Sequence, residues 1–193
     1  MNSVTSRPIN DEVVSFDSEE LILVDENDVE IGHLHKDKCH DDDGLLHRAF
    51  SLFIFNDEGE VLIQRRRAQK RLWPLYWANS CCSHPRRGEE MDEAVRRRLY
   101  QELGMRSDPL FLYKFIYHAH YEDQGAEHEL CWVYIGRSSD PVRANPNEVS
   151  EWKYMAPTQL DQELKNSPDN FSPWIRLEWE TMQREYQEQL RSL

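Results

Sequence analysis

The sequence predicts a mixed-sheet α/β layered fold. Two observations carry that reading: apolar runs come in pairs joined by turn residues, and helical stretches stand between and after those pairs. Leu21-Ile22-Leu23-Val24, the turn Asp25-Glu26-Asn27-Asp28 and the return from Val29 to His35 make a first hairpin. Phe50 to Phe55, the turn Asn56-Asp57-Glu58-Gly59 and the run Val61 to Arg65 make a second. With 193 residues, 39% hydrophobic content, six Trp and eight Tyr, the chain can bury a substantial core.

Between and beyond the hairpins the chain reads in order. Lys36 to Leu46 is a charged loop or short helix carrying His40, with His47 just after it. An aromatic, proline-broken segment from Leu72 to Trp77 leads into Asn79-Ser80-Cys81-Cys82-Ser83-His84-Pro85. A helix opens near Glu89 or Glu90 and ends at Gly104, which suits a helix C-terminus. Leu110 to His120 and Leu130 to Arg137 are expected as paired strands around an acidic loop from Glu122 to Glu129. Val149 to Tyr154 is a last strand, Thr158 to Lys165 a short helix, and Pro173 starts a helix towards Leu193. Residues 1–19 are expected to form a flexible segment and 20–193 a single domain.

The net charge of −13 argues against nucleic acid as a partner, because phosphate backbones need a basic footprint. Within that acidic chain two basic clusters stand out, Arg65-Arg66-Arg67 with Lys70-Arg71, and Arg96-Arg97-Arg98. The four cysteines, at 39, 81, 82 and 131, form no C-x-x-C pair, so a zinc knuckle or thioredoxin-like motif is excluded. The N-terminus has no signal-peptide core and no transmembrane stretch follows, so a cytoplasmic protein with reduced thiols and no membrane partner is expected.

Three groups of residues carry chemistry. If the Cys stretch is extended, Cys82 and His84 share one face and Cys81 lies on the other. A thiol and an imidazole on one face form a catalytic pair or divide between catalysis and metal binding, against a plainer reading as a buried Cys beside a hydrogen-bonded His. On the helix after the cysteines, Met91, Ala94, Val95, Leu99 and Leu103 make an apolar stripe with Arg98 and Glu102 inside it. That pair is either an i,i+4 ion pair at the stripe's edge or a carboxylate for Mg2+ beside a guanidinium for phosphate. Glu127 and Glu129 share one side of a strand and repel unless a cation joins them. With His40, His47 and His84 they would make a five-ligand site suited to Zn, Mn or Fe more than to magnesium alone.

Glu89 to Met105 resembles a degenerate Nudix box, keeping Glu89, Arg97, Glu102 and Gly104 but placing Ser83, Arg98 and Gln101 where the box has Gly and Glu. Those departures, and five blocks in order over residues 20–190, resemble the type I isopentenyl diphosphate isomerases. The blocks are K-x3-H-x6-H-R-AFS from Lys36, R-x6-WP-x2-W-x-NS-x-C-x-HP from Arg66, F-x-Y-x-A from Phe115, Glu127-His128-Glu129, and Phe171-Ser172-Pro173-Trp174. The resemblance implies a Nudix-like α/β/α fold with extra N-terminal strands and a C-terminal helix, and a monomer acting on a small prenyl diphosphate. It implies a catalytic thiol at Cys82, with Cys81 its packing neighbour, and an acid built from Glu129 and Tyr117. Trp174 would stabilise a carbocation. Lys36, Arg66, Lys70 and Arg98 would contact the diphosphate. Mn2+ or Zn2+ would sit on His40, His47, His84, Glu127 and Glu129, and Mg2+ on Glu102, with Glu89 and Arg97 as supports. The alternative is a Nudix hydrolase of a small diphosphate, which leaves Cys82 and the Phe171–Trp174 segment without a role.

Overall fold

The computed structural model describes residues 11–193. Its hub is strand β3 (His47–Phe55), which follows an N-terminal hairpin of β1 (Glu20–Val24) and β2 (Glu30–His35) and a one-turn helix α1 (Lys36–Cys39). Phe50 to Phe55 is apolar on both faces, as a strand covered on both sides must be. It runs parallel to β8 (Gly125–Arg137) from His47↔Glu129 to Phe55↔Arg137. On its other flank it pairs antiparallel with β6 (Cys81–Ser83). Parallel and antiparallel neighbours on one strand make the sheet mixed, as predicted.

Alternation along β3 separates two cores. Phe53 and Phe55 face Trp174, Ile175, Trp179 and Met182 of α4 (Pro173–Glu185). Phe50, Leu52 and Ile54 face Met91, Ala94, Val95, Leu99 and Leu103 of α2 (Met91–Leu103), the predicted stripe. Helix, sheet and helix thus form three layers, and each fully buried aliphatic or aromatic side chain contributes about 1.5–3 kcal/mol. The short β6 obeys the same alternation: Cys81 joins the α2 core and Cys82 packs against the α4 core. Helix α2 ends at Gly104, left-handed at φ 65°, where a Cβ would stand 2.9 Å from the Arg143 side chain.

Three expectations needed correction. The second hairpin closes around Asn56–Gly59, but β3 and β4 (Val61–Arg66) share only Phe55↔Val61. Beyond the turn β4 leaves for β5 (Trp77–Ala78) and β9 (Val149–Met155), because β3 has taken β8 and β6 instead. The acidic loop is a tight turn over 122–124, not 122–129, since β7 (Leu110–Tyr121) and β8 pair from Tyr121↔Gly125 onward. Positive φ at Glu122 (48°) and Gly125 (135°) makes so sharp a reversal. The last helix does not run unbroken: it stops at Tyr186 (φ −122°) and resumes as α5 (Gln187–Arg191). Helix α3 (Pro157–Asn166) lies between β9 and α4.

Of the segment expected at 1–19, residues 1–10 lie outside the described residues. Val14 is buried, and its carbonyl accepts a hydrogen bond from Arg98 at 2.7 Å.

One core residue is a carboxyl. Glu178 of α4 is 0% exposed, its Oε1 stands 3.6 Å from the Cys131 thiol, and Oε2 has no hydrogen-bond partner among the described residues. Burial, reinforced by the charge of Glu129, pushes its pKa from 4.5 up to about 8 against a lowering hydrogen bond from Ser51. The native state therefore holds a proton that the unfolded chain releases above pH 4.5. Stability falls from there to about pH 8, by up to about 1.4 kcal/mol per pH unit. Glu178→Gln should melt higher than wild type at pH 8 and converge with it near pH 5; a pH-independent difference would contradict this.

Candidate active site

Strand periodicity brings the site together. Tyr117↔Glu129 and Ala119↔Glu127 are cross-strand partners, so Tyr117, Glu127 and Glu129 share the face that carries His47. His40 follows α1, and His84 leaves β6 beside the same point. One ligand atom from each of His40, His47, His84, Glu127 and Glu129 lies within 4.8 Å of all the others. His47 Nε2 is 3.2 Å from His84 Nε2, which is 3.1 Å from Glu129 Oε1, and His40 Nε2 is 2.8 Å from Glu127 Oε2.

This donor set fits a divalent transition ion. Bond lengths of about 2.1 Å place the ligand atoms around such an ion about 3–3.5 Å apart. His40 Nδ1 meets Lys36 O at 2.6 Å and His47 Nδ1 meets Leu45 O at 2.7 Å, so each Nδ1 is tied to a carbonyl and each Nε2 faces the cluster. That outer-shell arrangement is the usual one for metal-bound histidine. Burial, followed by the charge of His47 and Lys36, holds the His84 imidazole well below its ordinary pKa and therefore neutral. Burial pushes Glu129 up, but the hydrogen bond and charge of His47 and the Tyr117 hydroxyl outweigh it, and the carboxyl ends below its ordinary value.

Next to the cluster lies a cavity of about 390 Å³ lined by Cys82, Tyr117, Trp174, Lys36, Arg66, Lys70 and Arg98, together with His40, His84, Glu127 and Glu129. Tyr117 donates to Glu129 Oε2 at 2.6 Å. Burial and then Glu129 raise the phenol's pKa, so the shared proton stands at Tyr117 Oη. Burial pushes the Cys82 thiol up to about 12, against the lowering pull of Arg66, whose guanidinium is 4.0 Å from Sγ. Arg66 is aimed by a strained loop: its side chain donates to the carbonyls of Leu72 and Trp73, and Trp73 (φ 46°) and Leu75 (φ 64°) are left-handed around Pro74. The same guanidinium lies 5.1 Å over the Trp174 ring, and Trp174 Nε1 donates to Asn79 Oδ1.

The cationic side groups crowd one another. Lys36 is pulled below its ordinary pKa by burial and then by Lys70, with Arg98 adding to it. Half-buried Lys36 and Lys70 and buried Arg98 converge here in a chain of net charge −13, with Glu102 and Glu148 set among them. Arg98 and Glu102 do pair at i,i+4, inside the core and not at the stripe's edge. Each is 3% exposed, and Arg98 donates to Glu102 Oε1 from Nε (3.0 Å) and from a terminal nitrogen (2.5 Å). This is a buried pair, worth about 3–5 kcal/mol if one partner is removed, and not an edge pair worth a few tenths. Glu102 and His47 stand behind the cavity wall rather than on it. Glu89 accepts from Arg97 at 2.6 Å and caps the loop before α2 through the Arg86 N–H, a supporting contact.

A NUDIX domain profile matches residues 45–175. An isopentenyl-diphosphate Delta-isomerase 1 of Photorhabdus laumondii is 45% identical over 163 residues, covering 83% of this chain and 93% of the relative. One from Paenarthrobacter aurescens is 39% identical, covering 84% and 89%. The chain belongs to the isopentenyl-diphosphate Delta-isomerase family of NUDIX domain proteins. A solved Deinococcus radiodurans protein, 26% identical, superposes with a TM-score of 0.63 over 77% of this chain and 90% of its own.

The NUDIX match begins at residue 45, so Lys36 and His40 come from the β1–β2–α1 extension that precedes it. Sequence reasoning missed Glu148 in this isomerase-family site. Its carboxylate lines the cavity, pairs with Lys70 and stands 3.5 Å from Arg98. It sits in a loop before β9 with no periodic signal around it. Gln64 carries no such signal either; its Nε2 donates to Glu102 Oε2 at 3.2 Å, a contact between a strand and a helix distant in sequence.

His47→Asn should weaken divalent transition-metal binding by at least about 10-fold, the scale for losing one well-held ligand contact. Calorimetric titration of chelator-stripped protein measures it, and unchanged affinity would place the metal elsewhere.

Proposed function

We propose that this protein interconverts isopentenyl and dimethylallyl diphosphate by proton addition and removal through a tertiary carbocation. The observation that carries this reading is the single cavity onto which Cys82, the Tyr117–Glu129 pair, Trp174 and the cations Lys36, Arg66, Lys70 and Arg98 open. The family's relatives are named for this reaction.

Alkenes are weak bases, so a positioned proton donor is required and the cation must be protected. Tyr117 Oη, bonded to Glu129, holds the proton given to the terminal alkene carbon, leaving positive charge on the neighbouring tertiary carbon. Loss of a proton from the next carbon along then sets the double bond in its new place. Cys82 takes that proton. It enters from β6, on the opposite flank of β3 from Glu129, so donor and acceptor bracket the substrate. Cys82 takes the proton as the thiolate, a form that burial opposes and Arg66 favours, so the thiol's own proton leaves to solvent before this step. The Trp174 ring face stabilises the cation by about 2 kcal/mol when desolvated. Lys36, Arg66, Lys70 and Arg98 fix the diphosphate, and the buried walls keep water from the cation.

Mn2+ or Zn2+ would be held by His40, His47, His84, Glu127 and Glu129. Mg2+ would be held with the diphosphate by Glu102, whose hard oxygen ligands suit it and which Arg98 occupies in the described state. When bound, these ions supply positive charge that tunes the Tyr117–Glu129 proton and neutralises the diphosphate. We place the protein in the cytoplasm as a monomer; no described helix is long and apolar enough to cross a membrane.

Purified protein incubated with isopentenyl diphosphate and Mg2+ should form dimethylallyl diphosphate. Cys82→Ala should lower kcat/KM by about 10²–10⁴-fold, the range for a lost acid–base group. Cys81→Ala should keep activity, at a stability cost of about 1 kcal/mol. Inactivity of the Cys81 variant alone would reverse the thiol assignment, and phosphate release without isomer would support a hydrolase.

A further inference from the structure

The alternation that turns Tyr117, Glu127 and Glu129 inward turns the residues between them outward. His118 and His120 share the outer face of β7, and His128 is the cross-strand partner of His118. Of the chain's eight histidines, three therefore meet inside the domain and three others meet on its outside. The outer rings touch: centroids are 4.5 Å apart for His118–His128, stacked at 27°, and 4.8 Å apart for His118–His120.

The loop after α1 is packed against this face. Gly44, at φ 71°, closes a turn on Asp41 O, and a Cβ there would lie 3.3 Å from the His128 Cβ, so the loop approaches as closely as glycine permits. It delivers two carbonyls and a carboxylate. His118 Nε2 meets Asp43 O at 2.6 Å, His128 Nδ1 meets Gly44 O at 3.4 Å, and Asp43 Oδ1 lies 3.6 Å from His120 Nε2. Each of the first two contacts ties one ring nitrogen to a loop carbonyl and leaves the other turned away from it. Imidazole beside a carboxylate selects borderline transition ions; the ligand atoms are not gathered in this arrangement, and the exposed His118 and His120 rings reach a shared ion by turning about their broad χ2, with His118 giving up its contact to Asp43 O. The neighbouring groove adds Asp41, Asp42, Glu122 and Asp123, whose charge draws cations. Arg71 neutralises part of that charge through Asp41.

We propose that the outer face of the β7–β8 hairpin carries a second divalent-cation site, taking an ion of the Ni2+, Cu2+ or Zn2+ type through His118, His120 and His128 with the Asp43 carboxylate. It stands back to back with the interior cluster across the same two strands and needs no substrate.

Equilibrium dialysis of the full chain against Ni2+, followed by metal quantification, compares wild type with His118→Asn/His120→Asn. Wild type should hold one equivalent more than the double variant, while the variant keeps the equivalent that His47→Asn removes. Equal stoichiometry in the two proteins overturns the proposal. A second measurement uses wild type alone, its interior site first filled with Zn2+. Electron paramagnetic resonance after one equivalent of Cu2+ should then show hyperfine splitting from two or more imidazole nitrogens, and a spectrum without it overturns the proposal even if the double variant fails to fold.

Discussion

The register of β3 against β8 is the constraint on which the rest depends. His47 opposite Glu129 at one end and Phe55 opposite Arg137 at the other set which side of β8 faces the α4 core. A slip of one residue would turn Glu127 and Glu129 out to solvent and His128 in. Because β7 takes its own register from β8, the same slip would carry Tyr117 out and His118 in. The apolar residues Phe53, Val133 and Ile135 on the correct face make that slip costly, since all three are fully buried. Hydrophobic burial over nine paired positions thus holds a cluster of imidazoles and carboxylates that would not assemble on its own.

Around that cluster the charges are arranged in opposition. Buried cations cost free energy unless paired, and here Arg98 is flanked by Glu102 and Glu148 while Lys70 also reaches Glu148. Among the described residues Lys36 Nζ donates only to the Ser15 hydroxyl, at 2.6 Å, and burial together with Lys70 holds its pKa below the ordinary value. A diphosphate entering beside these residues would supply the negative charge they lack. The same logic explains Glu178, a carboxyl whose burial and nearness to Glu129 outweigh the hydrogen bonds from Ser51 and Cys131.

The strands and helices with strong periodicity were legible in the sequence: the α2 stripe, the β1–β2 hairpin and the two faces of the cysteine stretch. What failed were places where tertiary partners overrode local signals. Val61 looks like the far arm of a long hairpin because its turn is well formed, yet β6 takes the flank of β3 along which β4 would continue. The break at Tyr186 carries no glycine or proline. In the site, the residues spaced by two along a strand follow from their period, and the three histidines read with the two glutamates as a candidate donor set are the ones the fold gathers. Glu148 was invisible because its role arises only where a loop meets a helix and β4. The outer histidines were overlooked for a related reason: 118 and 120 look solvated until Gly44 brings a loop against them.

Deuterium transfer tests the two-flank proton chemistry most directly. The protein is incubated with isopentenyl diphosphate and Mg2+ in D2O, and the allylic product is examined for label. Deuterium in the methyl group formed from the terminal alkene carbon is the expected result, because Tyr117 and Glu129 draw that hydrogen from solvent. Dimethylallyl diphosphate formed without deuterium, or no isomer at all, would contradict it.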